Sequence, residues 1–170
     1  MLIPLLTQIY HPISFTFSGS TIFVLLYLFI DKVAWKWPLY GRIFSYPNLN
    51  GEWECEGESF NKDSEMKYSW KAIVSIKQTW DKIQITLKTQ NSQSCSTSII
   101  SGIKYIAGKG YILSYHYINE PNMRETELLK HEGFCSLTFD ETLKTSEGFY
   151  FNNVKERKTY GCMKLRRRIV

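Results

Sequence analysis

The side chains of this 170-residue chain whose types and spacing could do chemistry are few and scattered. Cys55, Cys95, Cys135 and Cys162 form no C-x-x-C pair, and His11, His116 and His131 stand at no metal-ligand spacing from them. We read the four as small apolar side chains in a reducing compartment; a disulfide would require export. Glu52, Glu54, Glu56 and Glu58 alternate along one short run, and carboxylates on an exposed strand face are ordinarily solvated rather than catalytic. No G-x-S-x-G, P-loop, H-E-x-x-H or G-x-G-x-x-G motif occurs. The expectation is a protein with no catalytic residue, no metal and no cofactor.

Binding chemistry is better represented. In "SWKAIVSIKQTW" a period of two puts Gln78 on one face with Trp70, Ala72, Val74, Ile76 and Trp80. An interior amide must be hydrogen-bonded, either by a nucleobase edge or by backbone and Tyr hydroxyls. Tyr115 and Tyr117 share a face opposite His116, placed to stack on a base or to pack in a core. His131, at the entry to a strand, can donate to a phosphate or cap a turn. Arg157 and Thr159 open the last strand; Arg suits bidentate phosphate contacts, and "VKERKT" also reads as a charged hairpin turn. Gln78, Trp80, Tyr115, Tyr117, His131, Arg157 and Thr159 are therefore the candidate ligand contacts.

The elements that must position them are strands. From Leu49 onward, "DKIQITLKTQ", "YILSYHYI", "GFCSLTF", "SEGFYF" and "RKTYGCMKL" are aromatic and β-branched runs bounded by turn residues. About eight strands fit between Gly51 and Arg167, and only "EPNMRETELLKH" could hold a helical turn. Brief turns favour antiparallel pairing, and a sheet of this size must hide its edges. The fold class is mainly β, a small antiparallel barrel whose interior holds side chains or one small ligand.

The first 30 residues differ in kind. All 21 Lys and Arg and all 16 Asp and Glu lie after Ile30, and the stretch from Ile13 to Ile30 reads "ISFTFSGSTIFVLLYLFI". Nothing basic precedes it and no A-x-A site follows, which argues against a signal peptide. No polar stripe marks it as a core helix. A transmembrane helix over about 13–30, begun at Pro12, accounts for it, with Val24 and Leu25 inside the span. Ser18, Gly19, Ser20 and Thr21 allow close helix–helix approach in lipid. Trp35, Trp37 and Tyr40 fit an interfacial belt, and Lys32, Lys36 and Arg42 put the C-terminal domain in the cytoplasm. The chain divides into a membrane segment 1–37, a linker 38–48 and a barrel 49–170. Net charge of +5, with Arg166, Arg167 and Arg168 near the end, suits anionic partners.

An N-terminal apolar segment, then "PNLNGEW", "IKQTWDKIQITLKTQNSQSCS", "LSYHYINEP", "HEGFCSLTF" and a closing "GFYFNNVKERKTYGCMKLRR" resembles a known family. It is similar in order and spacing, from about Pro47 to Arg167, to the two-transmembrane, β-strand-rich effectors of bacterial cyclic-oligonucleotide-based antiphage signalling systems (CBASS). The resemblance implies a cytoplasmic barrel that binds a cyclic dinucleotide made by a nucleotidyltransferase of the cGAS/DncV-like class (CD-NTase), with neither DNA nor RNA as partner. It further implies oligomerisation, disruption of the inner membrane and abortive-infection cell death. Family members carry two spans, whereas residues 1–37 hold one full span; a start internal to the gene and a single sufficient helix are both open readings. A membrane-anchored lipocalin-like carrier and an anchored interaction module are the alternatives from the residues alone.

Overall fold

The computed structural model describes residues 3–61, 66–90, 94–120, 130–152 and 159–168, with backbone alone for residues 3–17 and 67. Helix α1 spans Ile3–Lys32, a 3-10 turn spans Ala34–Lys36 and helix α2 spans Pro38–Phe44. Eight strands follow: β1 Gly51–Phe60, β2 Met66–Gln78, β3 Ile83–Thr89, β4 Cys95–Ile106, β5 Gly110–Glu120, β6 His131–Phe139, β7 Thr145–Asn152 and β8 Tyr160–Arg167. They close into a barrel in sequence order, each antiparallel to the next, with β8 returning to β1. "EPNMRETELLKH", where a helical turn was conceivable, lies largely outside the described residues.

The alternation in sequence becomes alternation about the barrel wall. Along β1, Trp53, Cys55, Gly57 and Ser59 are buried while Glu52, Glu54, Glu56 and Glu58 are exposed. The four glutamates are on the outer wall, where Glu56 pairs with Lys71 and Glu52 with Arg168. Ala72, Val74 and Ile76 of β2, Leu113 and Tyr115 of β5 and Cys135, Leu137 and Phe139 of β6 fill the middle of the lumen. The four cysteines are free thiols, two of them, Cys55 and Cys135, in this core. Gly108 and Gly110 take positive φ of 78° and 91° in the turn between β4 and β5, a conformation that favours glycine. Between β3 and β4 only Thr86, Leu87 and Lys88 are in register. Side chains extend the seam: Ile85 N donates to Ser98 Oγ (2.9 Å), and Ser101 Oγ donates to Ile83 O (3.2 Å).

In this meander the odd strands all run away from the helices and the even strands run back. One end of the barrel, the helix end, holds Gly51, Gln78, Ile83, Gly110, Phe139 and Arg167; the far end holds Ser59, Trp70, Asn119, Gly133, Asn152 and Thr159.

The helix starts at Ile3, not at Pro12. Pro4 falls in its first turn, where a missing N–H costs nothing, and Pro12 lies inside the apolar run. Its last turns are already docked on the barrel. Tyr27 Oη donates to Asp81 Oδ2 (2.6 Å), and buried Asp31 accepts from Trp80 N at 3.1 Å while pairing with Lys32 Nζ at 2.7 Å. Carboxylates so placed belong outside the hydrocarbon. Among the described residues one stretch, Ser18–Lys36, is long and apolar enough to cross a membrane, and Asp31 and Lys32 lie in its C-terminal half.

Candidate functional site

The seven ligand candidates divide between the two ends. Gln78 points inward, 5% exposed, at the helix end, and both its amide atoms are hydrogen-bonded. Leu49 N donates to Oε1 (2.8 Å) and Nε2 donates to Pro47 O (2.9 Å). The backbone-satisfied alternative is the one observed, and Gln78 buckles the linker onto the barrel. Trp80 lies beyond the end of β2 and packs edge-on against Tyr40 and Phe44, with Tyr46 also in ring contact. Arg167 seals this end: Nη2 donates to Asn50 O (2.6 Å), Nη1 to Asn48 O (3.2 Å), and its guanidinium covers Trp53 at 5.2 Å. Aliphatic and aromatic packing with the linker closes the helix end.

Tyr115, Tyr117, His131 and Thr159 are on the other side of that core or at the far end. Tyr117 Oη donates to Asn152 Oδ1, and Asn152 Nδ2 donates to Thr159 Oγ1, both at 2.8 Å. Tyr115 sits deeper, its ring 6.1 Å from that of Tyr117. His131 begins β6 in register with Asn119. Arg157 lies outside the described residues.

Around this chain the fold adds polar groups that alternation alone does not single out. Ser59 Oγ and Tyr150 Oη are hydrogen-bonded at 2.5 Å, and Trp70 Nε1 donates to both at 3.2 Å. Ser96 Oγ donates to Asn119 Oδ1 at 2.9 Å. Burial pushes the Tyr115, Tyr117 and Tyr150 phenols above their ordinary range, the Ser59 and Trp70 bonds partly offsetting this at Tyr150. All three therefore remain neutral donors near pH 7. The far half of the lumen is a set of hydroxyls and amides on an apolar floor, with the mixed donor and acceptor pattern that a nucleobase edge or a phosphodiester oxygen needs.

Three glycines make room for the rings. A Cβ at Gly57 would stand 2.2 Å from the Trp70 ring, one at Gly133 2.4 Å from Tyr117, and one at Gly161 2.5 Å from Tyr150. None has positive φ, so space rather than backbone conformation requires glycine there. Each ring lies against a glycine of a neighbouring strand. Inward glycines within strands were the readable signal for Ser59, Trp70, Tyr150 and Asn152, because such glycines mark close approach.

Comparison with known proteins agrees with this geometry. Residues 44–167 match the family described as Cap15, cyclic dinucleotide receptor domain. The CD-NTase-associated protein 15 of Yersinia aleksiciae is 40% identical over 150 residues, which are 88% of this chain and 69% of that protein. The match begins at the last residue of α2 and takes in the segment that plugs the helix end and every strand of the barrel. The chain thus belongs to the Cap15 family of CBASS-associated proteins, and its barrel is that family's cyclic dinucleotide receptor domain.

Proposed function

We propose that the chain is a membrane-anchored effector that takes a cyclic dinucleotide into the far half of its barrel and responds by disrupting the membrane. The observation that carries the ligand half is the split lumen: a plugged apolar helix end and a far end furnished by Ser59, Trp70, Tyr117, Tyr150, Asn152 and Thr159. Tyr115 and Tyr117 supply ring faces for base stacking, and the hydroxyls and Asn152 supply hydrogen bonds to base edges. His131 at the rim, and Arg157 on its chemistry alone, are the groups for the phosphates. Gln78 and Trp80 serve the junction with the anchor instead. A lipocalin-like carrier would need an open apolar lumen, and the apolar part of this one is filled by its own side chains.

For the membrane half, α1 offers one helix long and apolar enough to span. Lys32, Lys36 and Arg42 after it support a cytoplasmic barrel beside the inner membrane, where a partner CD-NTase would release its product. Self-association of ligand-bound copies then gathers the spans, and cell death follows from the loss of the membrane barrier.

The test uses the full chain. In detergent, a cyclic dinucleotide at about 100 times its Kd should stabilise the barrel by about 2.7 kcal/mol, a rise in melting temperature of roughly 5–10 °C. In dye-filled vesicles the same ligand should cause leakage. Val24→Arg, which sets a charge costing about 3 kcal/mol well inside the span, should stop leakage and leave the melting shift intact. If no cyclic dinucleotide moves the melting temperature, the receptor reading fails. Leakage that survives Val24→Arg refutes the membrane step.

A further inference from the structure

The outer wall of β7, β8 and β1 carries a surface that neither the lumen nor the anchor uses. Reading across the strands in register, Phe60 of β1 pairs with Tyr160 of β8, Tyr160 with Phe151 of β7, and Phe151 with Phe134 of β6. All four face outward. Phe60 and Tyr160 stack at 5.6 Å and Phe134 and Phe151 at 5.5 Å, and Phe151 and Tyr160 keep 45% and 39% of their surface. Four adjoining outward aromatics on four adjacent strands form a patch of the kind that marks protein contact. The patch is at the far end of the barrel, opposite α1, so the bilayer that α1 enters is not its occupant.

Toward the helix end the same wall carries charges of alternating sign. Lys71, Glu56, Lys164 and Glu147 are in register on β2, β1, β8 and β7, with ion pairs Lys71–Glu56 at 2.9 Å and Lys164–Glu147 at 3.4 Å. The four sum to zero, and their side chains are all about two-thirds to three-quarters exposed. A cationic or acidic partner would find no net field there. A second copy would find complementarity: a two-fold axis along the membrane normal, between β1 and β8, sets Glu56 against Lys164 twice. It also sets Phe60 against Tyr160 twice. Glu58 lies between these bands in a depression of about 680 Å³, where water can keep it solvated.

We propose that this wall, rather than the helices alone, is the face on which two copies of the chain meet. The inference rests on the effector reading, because anchoring in one membrane gives both barrels the same orientation and raises their effective concentration. Aromatic contact supplies the attraction, and the Glu56–Lys164 pairs set the register.

The wall contains its own reporter. Cys162 is exposed on β8 between the two bands, while Cys55 and Cys135 are buried. In the full chain in vesicles, with Cys95→Ser to remove the half-buried thiol, a bis-maleimide of about 8 Å span should link two copies through Cys162. Cyclic di-GMP, cyclic di-AMP and cyclic GMP-AMP are the probes, with melting followed in parallel. The dimer band should strengthen with whichever ligand raises the melting temperature and vanish in Cys162→Ser. It should fall at least tenfold in Phe151→Lys and in Lys164→Glu, and return in the Glu56→Lys, Lys164→Glu double variant. A melting shift without any cross-link overturns the interface and leaves the receptor intact. A band indifferent to Phe151→Lys and Lys164→Glu also overturns it, as random collision. Cross-linking with these dependences but without ligand-induced melting supports the interface and counts against the ligand reading.

Discussion

Gly57→Ala tests how the far lumen is built. A methyl carbon at Gly57 would sit 2.2, 2.3 and 2.7 Å from three atoms of the Trp70 ring and near nothing else closer. Ordinary carbon contacts are about 3.5–4.0 Å, so the ring must move by more than 1 Å. In moving it gives up the Nε1 bonds to Ser59 and Tyr150, each already 3.2 Å long. Overpacking costs about 1–3 kcal/mol and each neutral hydrogen bond about 0.5–1.5. Against this, Ala in place of Gly in a strand returns about 0.5–1 kcal/mol of unfolded-state entropy. The net expectation is a loss of about 2 kcal/mol, roughly 6 °C in melting temperature for a chain of this length.

The assay that isolates the cause is a double-mutant cycle by urea unfolding of the full chain, followed by the strand signal in circular dichroism. Trp70→Leu alone is destabilising, because it empties a large site and leaves Ser59 and Tyr150 with one partner fewer. In that background the methyl at Gly57 meets no ring, so Gly57→Ala should cost nothing or stabilise slightly. The coupling is therefore about 2 kcal/mol. If Gly57→Ala costs as much without Trp70 as with it, the glycine serves some other need and the account of the lumen is wrong.

Two further outcomes follow from the two kinds of burial. Cys55 and Cys135 are pushed from 9.0 up to about 12, chiefly by burial, so the fold holds them as neutral thiols that the unfolded chain would ionise. Their stabilising effect is whole below pH 9 and is lost as pH rises from 9 to 12, at about 1.4 kcal/mol per pH unit for each thiol. Urea midpoints between pH 9 and 10.5 should therefore fall steeply, and Cys135→Ala should roughly halve the thiol part of that slope; an unchanged slope refutes the assignment. At the helix end, Gln78→Leu strands Leu49 N and Pro47 O, at about 1–3 kcal/mol for each buried group. Proteolysis in the linker near Asn48 should accelerate while the ligand-induced melting shift persists, and loss of that shift instead would make Gln78 a ligand contact.

The barrel, its strand count and its inward faces were legible because the alternation in "SWKAIVSIKQTW" and "YILSYHYI" is set by which side chains can be buried. The apolar helix was legible by length and lack of charge; its start was not, because Pro12 signals a helix start strongly and its neighbours keep the helix going regardless. What periodicity withholds is height. It says that Gln78 and Tyr117 both point inward, and nothing in either strand alone says how far along the barrel axis each one lies. The ring-over-glycine contacts were half legible: Gly57 and Gly133 within strands mark a close approach, but not which residue of a neighbouring strand, Trp70 or Tyr117, makes it.

Height is nevertheless recoverable once the strands are known to follow one another around the barrel. In an up-and-down meander a residue late in an odd strand and a residue early in an even strand are at the same end. Ser59 is late in β1, Trp70 early in β2, Tyr117 late in β5, Gly133 early in β6, Asn152 late in β7, and Thr159 immediately precedes β8; all share the far end. Gln78 is late in β2, so its parity is the opposite one, and it must lie where β1 begins and the linker arrives. The same count puts the carbonyls of Pro47 and Asn48 within reach of Gln78 and Arg167, the residues late in β2 and β8 that bind them. A set of inward polar residues in such a barrel is therefore a candidate site only when its members agree in this parity. By that criterion the Gln78 amide groups with Leu49 and Pro47 at the helix end, and not with Tyr117 and Asn152 at the far end.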